Sequence, residues 1–360
     1  MRFLSRRERR RAGRSRDPRG LAVQASETRP TGSMPIVTPS RLMLFSGRAN
    51  LALAEAIGRK LGIELGHVTL KTFSAGELYC RYEESVRGAD VFIVQPTCAN
   101  PAAGLSAAEA MLELLVMIDA AVGASANRVI AVMPSFGYAR QDKKSALREP
   151  ISARLVAHLL ETAGVDRVLT IDLHAGQVQG FFRKPVDHMT ALLMIADYFR
   201  SLGLDDPVVV SPDVGRVKLN HEFAAMIGAD LAIMTKERPA QQVAEIGYVI
   251  GDVKGKNAII LDDMIDTAGT LVAAGQAVVE HGAARVYAAC THPVFSGPAY
   301  EWLAGAPFEQ VVVTDTIPLR EGAPENVVVL SCASLLADTI RQIFTDGSVS
   351  RVFNGENQLF

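Results

Sequence analysis

From residue 42 onward, short runs of β-branched and aliphatic residues alternate with longer segments whose apolar positions recur every three or four residues. The short runs predict strands at 42–45, 90–95, 128–134, 167–172, 207–211, 230–234, 258–261, 285–290, 310–314 and 327–330. The longer segments predict helices near 49–62, 104–122, 151–164, 188–202, 217–227, 268–281 and 333–345. Strands that alternate with helices build mainly parallel sheets flanked by helices. Ten strands are too many for one ordinary sheet. The expectation is therefore two α/β domains, over 41–186 and 187–345, with the helix near 188–202 opening the second and a terminal segment over 346–360. Residues 1–40 have no apolar period and are rich in Arg, Ser, Pro and Gly, which predicts a disordered extension.

Composition narrows the function classes. A formal net charge of −2 over 360 residues does not suit a nucleic-acid binder. The charge is uneven, with ten arginines against three acids in residues 1–30. An upstream start codon, with Met34 or Met43 beginning the folded part, accounts for that leader more simply than a targeting role. Cys80, Cys98, Cys290 and Cys332 are widely spaced, so neither a zinc site nor a redox pair is indicated and a reducing cytoplasm fits. The longest apolar stretch, 111–123, holds Glu113 and Asp119 and is too short to span a bilayer.

Candidate chemistry gathers at the ends of predicted strands, where open α/β sheets bind ligands. The run Ala258-Ile-Ile-Leu261 leads into Asp262, Asp263 and Asp266, then into the small-residue turn Thr267-Ala268-Gly269-Thr270 at a helix start. Backbone N–H groups and hydroxyls at such a turn cradle a phosphate. The carboxylates beside it suit sugar hydroxyls or a divalent cation, so a phosphorylated sugar satisfies both halves. Val208-Val209-Val210 leads to Ser211-Pro212-Asp213-Val214-Gly215, and Val168-Leu169-Thr170-Ile171 leads to Asp172-Leu173-His174. Val129 to Pro134 leads to Phe136-Gly137-Tyr138-Ala139-Arg140-Gln141-Asp142-Lys143-Lys144, a glycine-containing cationic run of the kind that holds nucleotide phosphates. Singly, each has a plainer explanation: Asp213 as a helix cap, His174 as a structural histidine, Phe73 as core. Their recurrence on several strand ends favours a site.

These residues stand in long ordered motifs: Phe73-Ser74-Ala75-Gly76-Glu77, Glu84-Ser85-Val86-Arg87-Gly88, Gly137 to Asp142, Asp172-Leu173-His174-Ala175, Ser211-Pro212-Asp213, Asp262 to Thr270 and Thr291-His292-Pro293. The chain resembles the ribose-phosphate pyrophosphokinases (5-phosphoribosyl-1-pyrophosphate synthetases) from Phe45 to Phe353. The resemblance implies two phosphoribosyltransferase-like domains and transfer of the diphosphoryl group of ATP to the C1 hydroxyl of ribose 5-phosphate. It implies Mg²⁺ at His174 and Asp213, and ATP at Phe73, Ala75, Gly76, Glu77, Arg140 and Gln141. It places ribose 5-phosphate at Asp262, Asp266, Thr267, Ala268, Gly269, Thr270 and Arg238, with Lys236 and Arg238 as the catalytic cations of a flexible loop. It also implies a homo-oligomer, hexameric in many members, with no nucleic-acid or membrane partner.

Four positions depart from the family pattern. Ala75 stands for an Asp, and Glu237 for a commonly basic residue. Arg216 stands for the second glycine after Ser211-Pro212-Asp213, where it either crowds the diphosphate loop or adds a cation to it. The run ending Lys144-Ser145-Ala146-Leu147-Arg148 lacks one basic residue, which, with the altered stretch Cys98 to Leu105, predicts weak dependence on free phosphate. Three alternatives compete: a non-catalytic relative, a phosphoribosyltransferase, and a transcriptional regulator on the same fold. The compact spacing from Lys236 to Asp262, the ATP-side residues, and the lack of a helical period in the leader weigh against each in turn.

Overall fold

The computed structural model describes residues 41–240 and 243–353, without the side chains of 236–248, 351 and 353. The extension expected over 1–40 lies outside the described residues, as do 354–360 of the terminal segment. The first half of the chain runs β1 (Arg41–Ser46), α1 (Leu51–Leu61), β2 (Val68–Thr72), β3 (Leu78–Tyr82), β4 (Ala89–Val94), α2 (Ala107–Gly123), β5 (Arg128–Met133), α3 (Ser152–Ala163), β6 (Arg167–Ile171) and β7 (Val186–Met189). Strands β1-β4-β5-β6-β7, in that order, form a parallel five-stranded sheet, while β2 and β3 pair as a separate antiparallel hairpin.

The second half runs α4 (Leu192–Leu202), β8 (Pro207–Ser211), α5 (Val217–Ile227), β9 (Asp230–Ala240), β10 (Val243–Ile250), β11 (Asn257–Ile265), α6 (Gly269–Glu280), β12 (Arg285–Pro293), α7 (Ala299–Ala304), β13 (Phe308–Thr314), β14 (Val327–Leu330) and α8 (Ala333–Phe344). Its sheet has seven strands in the order β10-β9-β8-β11-β12-β13-β14, parallel except for β10.

The period of two along the buried strands sorts the core into layers. Leu44, Phe92, Val94, Ile130 and Leu169 of the first sheet face the same cluster as Val209, Ile259, Leu261, Ala289 and Val312 of the second. Between them lie Leu53 and Ile57 of α1, Ile195 and Phe199 of α4, Phe223 of α5, and Leu336 and Ile340 of α8. One helical layer therefore serves both sheets. The alternate residues face outward, onto α2 and α3 from the first sheet and onto α6 and α7 from the second.

The structure departs from the expected elements in several places. The helix expected from 188 begins at Leu192, because Val186–Met189 pairs with β6 as an edge strand. The hairpin β2–β3 carries no fully buried position, so its period of two produces no apolar stripe. Strand β11 does not stop at Leu261: Asp262, Met264 and Ile265 continue its pairing with β12, so the carboxylates sit on the strand itself. Strand β9 continues past 234 to Ala240 and pairs with β10. Among the described residues no helix is long and apolar enough to cross a membrane.

The two sheets meet at Asp172. Its Oδ2 accepts hydrogen bonds from Ala191 N at 2.9 Å and from Thr291 Oγ1, on β12, at 2.6 Å. His292, also on β12, donates from Nε2 toward the carbonyls of Ile171 and Asp172 at 3.1 and 3.0 Å. Asp172 itself has a φ of 37°, a left-handed conformation that a non-glycine residue keeps only when its surroundings over-determine it.

Beside this junction, His188 Nε2 accepts from Leu173 N–H at 2.8 Å. Burial pushes the His188 pKa down to about 4, against the opposing pull of Asp172. Between pH 6.5 and 4 the unfolded chain therefore binds a proton that the folded chain refuses, and stability falls as pH falls through that window. The loss approaches roughly 2–3 kcal/mol at the acid end. In chemical denaturation, His188→Gln is expected to flatten the stability slope between these pH values; an unchanged slope contradicts the assignment.

Candidate active site

The cradle begins where β11 gives way to α6. Ala268 caps α6 with φ +67°, turning the chain so that the first N–H groups of the helix open into the cleft. Gly269 is required by contact: a Cβ there would lie 2.6 Å from Cζ3 of Trp302 on α7. Asp266 lines the cavity beside the cradle, and its carboxylate is engaged by two protein donors. It accepts from Ser296 Oγ and from Arg140 Nη2, the latter at 2.6 Å. Burial raises its pKa, but those two hydrogen bonds outweigh burial and hold it below the usual carboxylate value. Asp266 therefore ties the cradle loop to the first-sheet loop that carries Arg140.

That loop is fixed from below. Gly137 N donates to Thr97 Oγ1 at 2.7 Å, and a Cβ on Gly137 would fall 2.4 Å from the Thr97 carbonyl oxygen. Gln141 N closes a turn onto Tyr138 O at 2.9 Å, and Gln141 O accepts from Ala153 N on α3 at 3.2 Å. Arg140 and Gln141 thus overhang a cavity of about 320 Å³ that also exposes His174, Met264 and Asp266. An adjoining cavity of about 260 Å³ is lined by Arg140, His174, Asp213, Arg216 and the whole run 262–271. Strand ends from both sheets line both cavities.

The polar centre is a four-residue cluster. His174 Nδ1 lies 2.7 Å from Asp263 Oδ2 and 2.8 Å from Arg216 Nη2. Both contacts are made at Nδ1, which leaves Nε2 outside this cluster. Arg216 Nη2 also reaches Asp263 Oδ1 at 2.7 Å, and its Nε stands 3.6 Å from Asp262 Oδ1. Burial, then the neighbouring Asp263 charge, pushes Asp262 well above the ordinary carboxylate value. Asp263 is also buried, but the His174 hydrogen bond and the Arg216 charge hold it low. Asp213 Oδ1 accepts from Arg216 N at 3.1 Å, capping the short 3₁₀ turn Val214–Arg216.

The structure brings together Arg140, Gln141, His174, Asp213, Asp262 and the run 266–270. It does not bring Phe73, Ala75, Gly76 and Glu77 to them. These four occupy the exposed tip of the β2–β3 hairpin and line neither cavity. There Gly76 N closes a turn onto Phe73 O at 2.8 Å, and the Lys71 ammonium lies 4.9 Å from the centre of the half-exposed Phe73 ring. Lys236 and Arg238 lie on β9, with Lys236 opposite Ile246 of β10, and their side chains are outside the described residues. Sequence reasoning grouped Asp263 with the carboxylates suited to sugar hydroxyls or a divalent cation, without its pairing to His174, and assigned no role to Ser296. Asp263 was signalled by its place beside Asp262, whereas nothing local marked Ser296, 30 residues from the carboxylate it contacts.

The cleft sets a turn-built cradle on one sheet against a cationic loop on the other, an arrangement that suits a transferase of the phosphoribosyl-handling class. Residues 42–164 match the model of the N-terminal domain of ribose phosphate pyrophosphokinase, and residues 219–354 that of the phosphoribosyl synthetase-associated domain. The chain is 51% identical over 318 residues to ribose-phosphate pyrophosphokinase 2, chloroplastic, of Spinacia oleracea, covering 87% of this chain and 79% of that one. It is 50% identical over 315 residues to the ribose-phosphate pyrophosphokinase of Caldanaerobacter subterraneus subsp. tengcongensis, covering 87% and 98%. The crystal structure of phosphoribosylpyrophosphate synthetase from Mycobacterium smegmatis superposes with a TM-score of 0.79 at 44% identity, covering 86% of this chain and all of that one. The chain belongs to the ribose-phosphate pyrophosphokinase family.

The contact between Gly269 and Trp302 is open to a double-mutant cycle. Gly269→Ala is expected to destabilise the protein by about 1–3 kcal/mol through overpacking at the cradle. In the Trp302→Ala background the same substitution should cost clearly less, as read by denaturant midpoints. Additive effects would place the strain elsewhere.

Proposed function

We propose that this cleft transfers the β,γ-diphosphoryl group of ATP to the C1 hydroxyl of D-ribose 5-phosphate, giving 5-phosphoribosyl-1-pyrophosphate and AMP for nucleotide biosynthesis. The observation that carries the assignment of roles is the Arg140–Asp266 ion pair, which joins the cradle of one sheet to the nucleotide-side loop of the other across a single cleft. The 5-phosphate takes the N–H groups and hydroxyls of Thr267 to Thr270, and Asp262 takes the ribose hydroxyls. Arg140 and Gln141 take the nucleotide. The C1 oxygen bonds to the β-phosphorus as the bond from that phosphorus to the α,β-bridging oxygen breaks; the electron pair leaves with AMP and the hydroxyl proton passes to solvent. Such a transfer depends on alignment and on neutralising oxygen charge more than on covalent help. Lys236 and Arg238 supply that charge, Arg238 as a fork on two oxygens and Lys236 as a point charge.

Asp213 and the Nε2 atom of His174 fit Mg²⁺, which takes one or two protein ligands and leaves its other positions to water and substrate phosphates. Among the described residues no group of three or more His, Cys, Asp or Glu could hold a metal ion. When bound, the ion neutralises phosphate charge. The hairpin carrying Phe73 and Glu77 lies outside this cleft, so a homo-oligomer in which a second copy presents that hairpin completes the adenine site.

Purified protein given ATP, Mg²⁺ and ribose 5-phosphate is expected to form AMP and 5-phosphoribosyl-1-pyrophosphate in equal amounts, and to retain most of its turnover without free phosphate. ATP hydrolysis without the sugar product contradicts the reaction, and collapse without phosphate contradicts the regulatory expectation. Lys236→Ala should lower kcat by roughly 10²–10³-fold with an unchanged fold; near-normal turnover removes Lys236 from the mechanism.

A further inference from the structure

Arg216 is held by both its backbone and its side chain. Its N–H donates to Asp213 Oδ1 at 3.1 Å, and its carbonyl accepts from Asn220 Nδ2 at 3.0 Å. Asn220 is completely buried on α5, so this anchor does not shift easily. The guanidinium is 17% exposed and forks between the two acids, at 2.7 Å from Asp263 Oδ1 and 3.6 Å from Asp262 Oδ1. The Asp263 side chain is 4% exposed. An ionised carboxylate at that depth needs a cation beside it. His174 contributes a hydrogen bond, but Arg216 contributes a permanent charge.

We propose that Arg216 is a built-in counter-cation of the Asp262–Asp263 pair, occupying the position where a divalent cation would otherwise settle. Two cations a few ångströms apart in a half-buried cleft repel by several kcal/mol. The guanidinium therefore keeps a metal off the acid pair and leaves it to Asp213, to the outer nitrogen of His174 and to the substrate phosphates. Arg216 is thus a positioning residue, acting on the metal and on Asp262 rather than on the reacting atoms. The inference deepens the proposed reaction and rests on it only in taking the metal to be part of the site.

The test is substrate-free Mn²⁺ titration of the full chain, with free Mn²⁺ read by electron paramagnetic resonance. Arg216→Gly is expected to bind Mn²⁺ at least about tenfold more tightly than wild type. The gain should vanish in Arg216→Gly/Asp263→Asn, and Arg216→Lys, which keeps the charge, should fall between wild type and the glycine variant. Equal affinity in wild type and Arg216→Gly overturns the proposal, as does a gain that survives Asp263→Asn or a lysine variant that behaves like glycine. If Arg216→Gly folds poorly without metal, recovery of its melting temperature by Mg²⁺ supports the same assignment. Failure to fold with or without Mg²⁺ overturns it, because Arg216 would then act by packing. Turnover is assayed separately, so failure of the diphosphoryl-transfer reading is distinguishable from failure of this one.

Discussion

The Asp172 carboxylate closes the last central strand of the first sheet and, through the same oxygen, accepts from Thr291 on the second. His292 answers from the second sheet by donating back to the carbonyls of Ile171 and Asp172. These groups are buried, so leaving any of them unpaired would cost about 1–3 kcal/mol. The result is a seam that admits essentially one relative placement of the two sheets. Everything chemical in the cleft inherits that placement. His174, two residues beyond the seam, reaches Asp263 of β11, and Arg140 reaches Asp266 across the same gap. The left-handed backbone at Asp172 is the local strain that this placement requires.

The cleft concentrates charge of both signs at partial burial. Asp262 and Asp263 are adjacent acids driven in opposite directions, one raised by burial and its neighbour, the other held low by His174 and Arg216. A cation shared unequally between two acids, with an imidazole on one of them, separates their behaviour. Asp262 is the more easily protonated of the two, while Asp263 orients the imidazole.

Much of this was legible in sequence, for identifiable reasons. Strands buried on both faces, such as Val208–Val210 and Ala258–Leu261, are unbroken apolar runs, and their ends could be read as ligand positions. The hairpin β2–β3 was missed because its residues are exposed or only partly buried. Strand β7 was missed because it is four residues long and carries Asp187 and His188. Asp262 and Asp266 were picked out by type and spacing, but the role of Asp266 as a tie to Arg140 and Ser296 depends on contacts across 126 and 30 residues. Arg216 stood out as a departure with two open meanings, and neither foresaw the pairing of its side chain with Asp263. Phe73 and Glu77 share a family motif set with Arg140, yet the fold of one chain sets them apart.

The inner helical layer also bears on how the chain is made. Helix α8, at the far end of the sequence, packs its Leu336, Ile340 and Ile343 into the same cluster as Leu53 and Ile57 of α1, and Arg341 Nη2 reaches the Lys60 carbonyl at 3.3 Å. A ribosome delivers α1 first and α8 nearly last. For most of synthesis, the inner face of the first sheet therefore waits without one of its covering helices, as a sticky surface on a half-made protein. A nascent chain stalled before residue 333 lacks the closing helix altogether. Such fragments are natural clients for a chaperone, and the inner layer closes only when α8 meets α1.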